Sequence, residues 1–209
     1  MDNLKISAAP SIRRLPSYLY IIRNMQREGE EYISGTAIAQ ELNLVSVQVR
    51  KDLSITGIKG HPKKGYPIEP LIGAIEHFLG WDSLQDAALV GVGNLGSALL
   101  GYQGFQLHGL NIAAAFDANP KKIGTTVHGI KIMNAKTMDI QIRNFGLKIA
   151  ILTVPSTEAQ NAADTLVSAG IEGIWNFTSV KPKVPDRVVV QNEDLSSGFA
   201  LLCIKMRNR

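Results

Sequence analysis

The strongest structural signal in this chain is the segment Val90-Gly91-Val92-Gly93-Asn94-Leu95-Gly96, directly after the apolar residues Ala87-Ala88-Leu89. Three glycines at this spacing, between a predicted strand and a predicted helix, are typical of a dinucleotide-binding turn. The first permits a tight turn, the second lets the backbone approach a pyrophosphate, and the third lets the helix pack close to the sheet. The helix dipole and unpaired N–H groups then favour the phosphates. An ordinary doubly wound sheet with the same turn and no ligand is the alternative.

An acidic residue follows these glycines at the distance that such a site requires. Asp117 ends the next apolar run, about 20 residues on, where a carboxylate accepts hydrogen bonds from an adenosine ribose. A carboxylate suits a free 2′-hydroxyl and repels a 2′-phosphate, so the sequence favours NAD(H) over NADP(H). Lys121 and Lys122 follow. They would reach a 2′-phosphate only by folding back, and we expect them to point outward.

The chain from Trp81 onward alternates predicted strands and helices. The predicted strands are 87–92, 110–117, 131–133, 149–153, 173–176 and 188–190. The predicted helices are 96–101, 139–144 and 157–169. Strands with near-continuous Val, Ile and Ala indicate a parallel sheet that is covered on both faces. The pattern therefore predicts an α/β domain, a Rossmann-type doubly wound parallel sheet, over residues 81–193.

The residues before this domain have helical rather than strand periodicity. Apolar residues recur at helical spacing over 11–26, where Pro16 is acceptable in the first turn of the main helix. Ser34 can cap a second helix at 36–42, and Asn43 tolerates the sharp turn that follows. Two short helices joined by a turn of three or four residues make a helix-turn-helix.

The third helix and the segment after it complete a winged helix-turn-helix domain over residues 1–80. Ser46 can cap the third helix, 47–53, whose inner face is formed by Val45, Val49 and Leu53. Glycines, a proline and lysines over 57–66 predict a short hairpin, the wing. A linking helix over 71–80 closes on Gly80.

Basic residues in this domain are separated from the acidic ones along the chain, which is what a single basic face requires. As recognition helix, the third helix would enter the major groove, and the wing would reach the DNA backbone or minor groove. A packing or protein-interaction role for the helices is the alternative. The residues that we expect to contact double-stranded DNA are Arg13, Arg14, Ser46, Gln48, Arg50, Lys51, Lys63 and Lys64.

Composition limits the remaining classes of protein. With 209 residues, 45% apolar and 19% charged, and a net charge of +4, the chain is typical of an ordinary globular protein. No apolar stretch reaches the roughly 20 residues needed to span a bilayer, and the N-terminus lacks a signal-peptide hydrophobic region. Cys203 is the only cysteine, so neither an intrachain disulfide nor a cysteine-based zinc site is available, and no metal site is expected. We expect a cytoplasmic protein.

Two other nucleotide-dependent functions remain as alternatives. A small NAD-dependent oxidoreductase needs a substrate domain and a general acid or base, but His108 and His128 have no obvious acidic partner. We therefore expect no catalytic residue. The same fold also holds coenzyme A in CoA-ligase domains, although Asp117 would lie close to the additional 3′-phosphate charge.

The last segment, 194–209, is too apolar for a free tail. Phe199, Leu202 and Met206 share one face of a predicted helix, which must be covered by its own domain or by a partner subunit. The sequence alone does not choose between these.

Several blocks of the chain, in order and spacing, resemble the Rex family of bacterial redox-sensing repressors. The blocks are Ile12-Arg13-Arg14-Leu15-Pro16-Ser17-Tyr18, Val47-Gln48-Val49-Arg50-Lys51-Asp52-Leu53, Lys64-Gly65-Tyr66, Val90–Gly96, Ala114-Ala115-Phe116-Asp117, Lys122-Ile123-Gly124, Ile151-Leu152-Thr153-Val154-Pro155 and Gly173-Ile174-Trp175-Asn176-Phe177. The tail departs from the family pattern, because Ser197-Gly198 weakens a helix and Lys205–Arg209 is short and basic.

The resemblance implies a homodimer that binds a palindromic operator when NAD⁺ dominates and releases it when NADH rises. It also implies that a C-terminal dimerisation helix, here within 194–209, is swapped into the other subunit. Tyr102 matches a tyrosine that pairs across the dimer with an aspartate, here Asp194, in a redox-dependent way. The implied cofactor-binding residues are Gly91, Val92, Gly93, Asn94, Leu95 and Gly96 at the pyrophosphate, Asp117 at the ribose, and Thr153, Val154, Pro155, Asn176 and Phe177 near the nicotinamide.

Overall fold

The structure, a computed structural model, describes residues 9–208, apart from the side chain of Leu195. Residues 1–8 of the predicted first domain and Arg209 of the basic tail lie outside the described residues. The chain divides into two compact units between Ser83 and Leu84, close to the boundary expected after Gly80.

The first unit consists of four helices and a two-stranded ribbon. Its elements are α1 (Ala9–Arg27), β1 (Tyr32–Ile33), α2 (Gly35–Glu41), α3 (Ser46–Ser54), β2 (Tyr66–Pro67) and α4 (Ile68–Leu79). The predicted start of α2 is confirmed, because Ser34 Oγ accepts a hydrogen bond from the Ala37 N–H at 3.0 Å. Asn43, with φ 52°, makes the left-handed turn to α3. The predicted helix-turn-helix is therefore present.

Two local predictions in this unit are wrong. The N-cap of α3 is Val45 rather than Ser46, and Val45 makes no capping bond and is exposed instead of lining the inner face. Pro16 lies inside α1 rather than in its first turn, because the helix already begins at Ala9. A proline there removes one hydrogen bond from the helix interior.

The wing also differs from the predicted hairpin. The strand β2 pairs antiparallel with β1, which the sequence analysis missed, rather than with a strand inside 57–66. The segment before β2 instead forms a tight turn, in which the His61 N–H donates to the Gly65 carbonyl at 2.6 Å. A strand of two residues has no periodicity that a sequence pattern could reveal.

A buried carboxylate joins α1 to α3. Asp52 is fully buried and accepts hydrogen bonds from Arg14 Nε (2.6 Å), Tyr18 Oη (2.6 Å) and Gln48 Nε2 (2.7 Å). Burial alone would raise the pKa of Asp52, but the hydrogen bonds outweigh it and hold that pKa well below its usual range. Burial and the hydrogen bond to Asp52 raise the pKa of Tyr18 to about 12. The recognition helix is thus attached to α1 by a charge-assisted network.

The second unit is a seven-stranded sheet flanked by helices. Its strands are β3 (Gln85–Val90), β4 (Leu110–Asp117), β5 (Thr126–Val127), β6 (Ile130–Asn134), β7 (Ile149–Leu152), β8 (Gly173–Asn176) and β9 (Val189–Asn192). Its helices are α5 (Asn94–Leu100), α6 (Gly104–Leu107), α7 (Met138–Phe145), α8 (Ala159–Ala169) and α9 (Leu195–Arg207). The short elements β5 and α6 were not predicted.

The order of the strands places a crevice at the glycine-rich turn. The sheet runs β5-β6-β4-β3-β7-β8-β9, and every pair is parallel except β5 with β6. The chain builds outward from β3 on one side and then crosses to β7 on the other. In such sheets ligands bind outside the carboxyl ends of the strands at this switch point. Buried apolar clusters cover both faces, as the strand composition predicted.

The C-terminal segment forms the helix α9 despite Ser197 and Gly198. Asp194 caps it by accepting from the Ser196 N–H at 2.9 Å. Phe199, Leu202 and Met206 are 69%, 52% and 66% exposed, so this chain alone leaves the predicted apolar face uncovered. Within residues 9–208, no helix has the length and apolar character that crossing a membrane requires.

We expect Asp52 to make the stability of the first unit depend on acid pH. Because its pKa is lowered on folding, its stabilising contribution is complete above the unfolded-state pKa of about 4 and is lost as the pH falls below that value. Urea unfolding between pH 2.5 and 6, followed by Trp81 fluorescence in a Trp175→Phe background, measures this. Asp52→Asn should remove most of the slope, whereas Glu28→Gln, at an exposed site, should keep it. Equal slopes in the wild type and Asp52→Asn would contradict the network.

Candidate nucleotide site and nucleic-acid interface

The crevice at the carboxyl ends of the central strands contains a cavity of about 650 Å³. This volume lies within the range of small-molecule and cofactor sites. The predicted cofactor residues that line it are Gly91, Gly93, Asp117, Thr153, Val154 and Pro155. Residues from the start of α8, among them Asn161 and Thr165, complete its wall. The structure thus brings the ends of β3, β4 and β7 together around one cavity.

The three glycines of the turn have distinct steric roles. Gly91 has φ +95°, a conformation that side chains rarely adopt. A Cβ on Gly96 would lie 2.1 Å from the Gly91 carbonyl oxygen, so only glycine permits this approach of α5. A Cβ on Gly93 would meet nothing within 4 Å, which leaves an open approach to its backbone. The turn at Gly91 and the close approach of α5 at Gly96 therefore both require glycine.

Thr153 holds the turn from the neighbouring strand β7. Its hydroxyl donates to the Gly91 carbonyl at 2.7 Å, and its N–H donates to the Val90 carbonyl at 2.9 Å. The side chain therefore faces the turn, where it fixes the start of the crevice. Its neighbours Val154 and Pro155 contribute the apolar part of the same wall.

Asp117 lies at the end of β4 and is 9% exposed. One carboxylate oxygen accepts from the Val92 N–H at 2.8 Å, and the other accepts from the Asn119 N–H at 2.8 Å. The Lys122 ammonium group also lies 3.3 Å from this carboxylate, so about one of its four acceptor positions remains for a ligand. Asp117 thus orients the glycine-rich turn and also lines the cavity.

The expectation that Lys122 points outward is wrong. Its ammonium group donates to the Val92 carbonyl at 2.7 Å and lies 3.3 Å from the Asp117 carboxylate. The carbonyl and the carboxylate together attract the cation, which sequence spacing could not reveal. Lys121 is exposed, as expected. A positive charge therefore lies beside the residue expected to select between NAD(H) and NADP(H).

Asn176 is not among the residues that line the cavity. Its side chain is fully buried, donates to the Val180 carbonyl and to Asn192 Oδ1 at 2.8 Å each, and accepts from Thr178 Oγ1 at 2.8 Å. A side chain with these partners shapes the turn after β8 rather than contacting a ligand directly.

Phe177 lies on the side of the sheet opposite to the cavity. Its ring belongs to a row of four aromatic side chains. The ring centroids of Trp175 and Phe177 are 5.0 Å apart, those of Phe105 and Trp175 are 5.6 Å apart, and those of Tyr102 and Phe105 are 4.9 Å apart. Tyr102, at one end of the row, is 56% exposed. Its predicted partner Asp194 is exposed at the start of α9, so both side chains are accessible to a second subunit.

The first unit gathers part of the predicted DNA-contacting set on one surface. Arg50, Lys63 and Lys64 line a cleft of about 470 Å³ between α3 and the wing. His61 lines it as well, and the sequence analysis missed this residue although it lies in the same basic loop. Arg13 and Lys51 are exposed outside the lining of the cleft.

Three of the residues predicted to contact DNA have polar partners within the first unit. Arg14 and Gln48 donate to the buried Asp52, so these donors help to position α3. Ser46 is half-buried, with its hydroxyl 3.5 Å from the Arg50 guanidinium. Residue type alone could not reveal these partners within the unit.

Family models and curated relatives match both units. A model of a CoA binding domain matches residues 82–180, and a model described as "Putative DNA-binding protein N-terminus" matches residues 5–54. The redox-sensing transcriptional repressor Rex of Treponema denticola is 53% identical over 209 residues, which are 100% of both chains. The chain belongs to the Rex family. The Rex repressor of Bacteroides fragilis is 42% identical over 201 residues, covering 96% of this chain and 91% of that one.

Solved Rex-family structures share the fold. The crystal structure of RSP in complex with beta-NAD⁺ and operator DNA has a TM-score of 0.89 and 32% identity, covering 98% of this chain and 94% of that chain. The structure of RSP in complex with beta-NADH has a TM-score of 0.86 and 30% identity, covering 100% and 96%. The predicted fold class, an N-terminal DNA-binding domain followed by a Rossmann-type domain, is confirmed.

The glycine-rich turn predicts a difference between two glycine-to-alanine substitutions. Gly96→Ala should destabilise the second unit by about 1–3 kcal/mol or more, because the new methyl group overlaps the Gly91 carbonyl. Gly93→Ala should cost less than about 1 kcal/mol, since its methyl group enters open space and only the helix cap changes. Urea unfolding followed by Trp175 fluorescence in a Trp81→Phe background compares them. Similar losses for both variants would show that the close approach of α5 does not limit stability.

Proposed function

We propose that this chain is a transcriptional repressor that senses the ratio of NADH to NAD⁺. It binds a palindromic operator when NADH is low and leaves it when NADH binds. The observation that carries this is the pairing, in one Rex-family chain, of the glycine-rich cavity with an exposed basic recognition helix. RSP binds beta-NAD⁺, beta-NADH and operator DNA. Because this chain belongs to the same family, we infer that it binds the same nucleotides and operator DNA.

The cofactor is NAD(H), held in the cavity of the second unit. In this proposal the backbone of Gly91–Gly96 contacts the pyrophosphate, Asp117 contacts the adenosine ribose, and Thr153–Pro155 border the nicotinamide end. Asn176 acts indirectly, by shaping the turn that carries Phe177. The match to a CoA binding domain reflects the shared nucleotide fold.

The names of the curated relatives distinguish a regulatory function from a catalytic one. Rex relatives are named as transcriptional repressors, so the protein is a regulator and not an oxidoreductase. In the proposal it acts in the cytoplasm, where operator DNA and the pyridine nucleotides meet.

Dimerisation gives the sensor a way to control DNA binding. A two-fold dimer reads two half-sites about 34–36 Å apart, so a modest rotation between subunits prevents both recognition helices from docking. The exposed apolar face of α9 supports a homodimer in which this helix packs on the partner subunit. Tyr102 and Asp194 then pair across the dimer in one redox state.

The difference between the two nicotinamide forms can supply the coupling. The reduced ring is neutral and enters apolar surroundings, whereas the oxidised ring is cationic and is costly to desolvate. A ligand shifts a conformational equilibrium only by its difference in affinity for the two states, and couplings of about 1–3 kcal/mol are typical. By linkage, operator DNA must weaken NADH binding by the same factor.

Titration of a palindromic operator duplex at fixed salt tests the proposal, first with excess NAD⁺ and then with NADH. We expect tight binding in NAD⁺ and release by NADH. Gly93→Val should bind the operator normally but no longer respond to NADH, because its side chain occupies the approach to the pyrophosphate. Arg50→Ala should have the opposite effect, because it should weaken operator binding and leave the affinity for NADH unchanged. Operator binding that neither nucleotide alters would overturn the proposal.

Asp117→Ser should relax the discrimination against NADPH. The substitution removes the charge that repels a 2′-phosphate and leaves the ammonium group of Lys122 available to pair with it. The dissociation constants of NADH and NADPH, measured by nicotinamide fluorescence, should move closer together. Adding Lys122→Met to this variant should reverse the gain in NADPH affinity. An unchanged ratio in Asp117→Ser would exclude Asp117 from the ribose site.

A further inference from the structure

The outer surface of the recognition helix carries apolar groups that its charged residues do not explain. Val47 is 63% exposed on α3, and Val45, the N-cap residue, is 69% exposed. Both are branched apolar side chains at the N-terminal end of the helix. The buried face of the same helix is formed by other residues, Val49, Asp52 and Leu53, so neither exposed valine contributes to the core.

Helical spacing aligns Val47 with the basic residues of the helix. Arg50, Lys51 and Ser54 lie three, four and seven residues after Val47, which places them on one side of the helix, and all four residues are exposed. The valine thus lies on the positively charged stripe expected to face DNA, one turn before Arg50 and Lys51. Its position is at the end of a recognition helix that reaches base edges in the major groove.

The major groove offers these valines a single apolar partner. Guanine, adenine and cytosine present hydrogen-bond donors and acceptors there, whereas thymine also presents its C5-methyl group. A valine placed against a donor or acceptor would remove it from water without replacing its hydrogen bond. A valine placed against a thymine methyl buries two apolar surfaces together.

We infer that Val45 and Val47 read thymine methyl groups in each operator half-site. The inference rests on the proposed function, because it assigns a base preference to the same DNA-binding surface. The basic cleft formed by Arg50, Lys63 and Lys64 supplies the charge that holds the phosphate backbone, while the valines discriminate between bases. Removal of one buried methyl group should weaken binding about fourfold per half-site, and roughly fifteenfold when both half-sites are changed.

The experiment deletes that methyl group alone. The probe is the duplex that this protein selects from a random-sequence pool at fixed salt with excess NAD⁺. Each thymine of a half-site is replaced by uracil, one position at a time and symmetrically in both half-sites. Affinities are compared for the wild type, Val45→Ala, Val47→Ala and Val189→Ala, the last being an exposed valine of the second unit that serves as control.

We expect one or two positions at which uracil weakens binding by the stated factor. At those positions, the change from thymine to uracil should cause little further loss of operator affinity in Val45→Ala or Val47→Ala. In Val189→Ala it should cause the same loss as in the wild type. The inference is overturned if no position is sensitive, or if sensitivity persists unchanged in both recognition-helix variants.

Failure of the proposed function gives a different result. A pool that yields no enriched duplex, or a selected duplex that NADH does not release from the wild type, contradicts the repressor itself. Circular dichroism and NADH affinity, unchanged in Val45→Ala and Val47→Ala, confirm that a loss of operator affinity arises at the DNA surface rather than from misfolding.

Discussion

Three side chains from outside the glycine-rich turn fix its geometry, and the nucleotide site depends on them. Thr153 binds the Gly91 carbonyl from β7, Asp117 binds the Val92 N–H from β4, and Lys122 binds the Val92 carbonyl. Because each bond reaches the turn from a different segment, the turn is positioned relative to both neighbours of β3. In the proposed complex with NAD(H), this constraint determines where the pyrophosphate can approach and which charges surround the ribose.

In the first unit, a buried carboxylate fixes the orientation of α3. Asp52 has no water to solvate its charge, so it requires the donors that Arg14, Tyr18 and Gln48 provide. Removing one partner of a buried pair typically costs about 3–5 kcal/mol, because the remaining charge is left uncompensated. The network therefore ties the orientation of the recognition helix to the core, and Arg50 and Lys51 are exposed on its outer face.

Apolar groups that the chain leaves exposed indicate the partners of the two units. Phe199 and Leu202 on α9 are exposed in this chain, and in the proposed homodimer the partner subunit covers them. The two valines at the start of α3 are a smaller apolar surface within a charged one, which suits the methyl groups of a DNA groove. Exposure thus separates a protein interface from a nucleic-acid interface in one chain.

The order of the longer helices and strands, the glycine-rich turn and the acidic residue that follows it could all be predicted from the amino-acid sequence. These features are local, because periodicity, glycine spacing and an N-cap such as Ser34 act over a few residues. The contacts of Arg14, Lys122 and Asn176 are visible only in the tertiary structure. Their polar groups bind partners in other segments of the chain, or in turns that have no sequence signature. The tertiary structure also paired β1 with β2 and left Val45 exposed. The physical reason is that a polar side chain takes whichever partner the fold brings within hydrogen-bond distance, and residue type does not specify that partner.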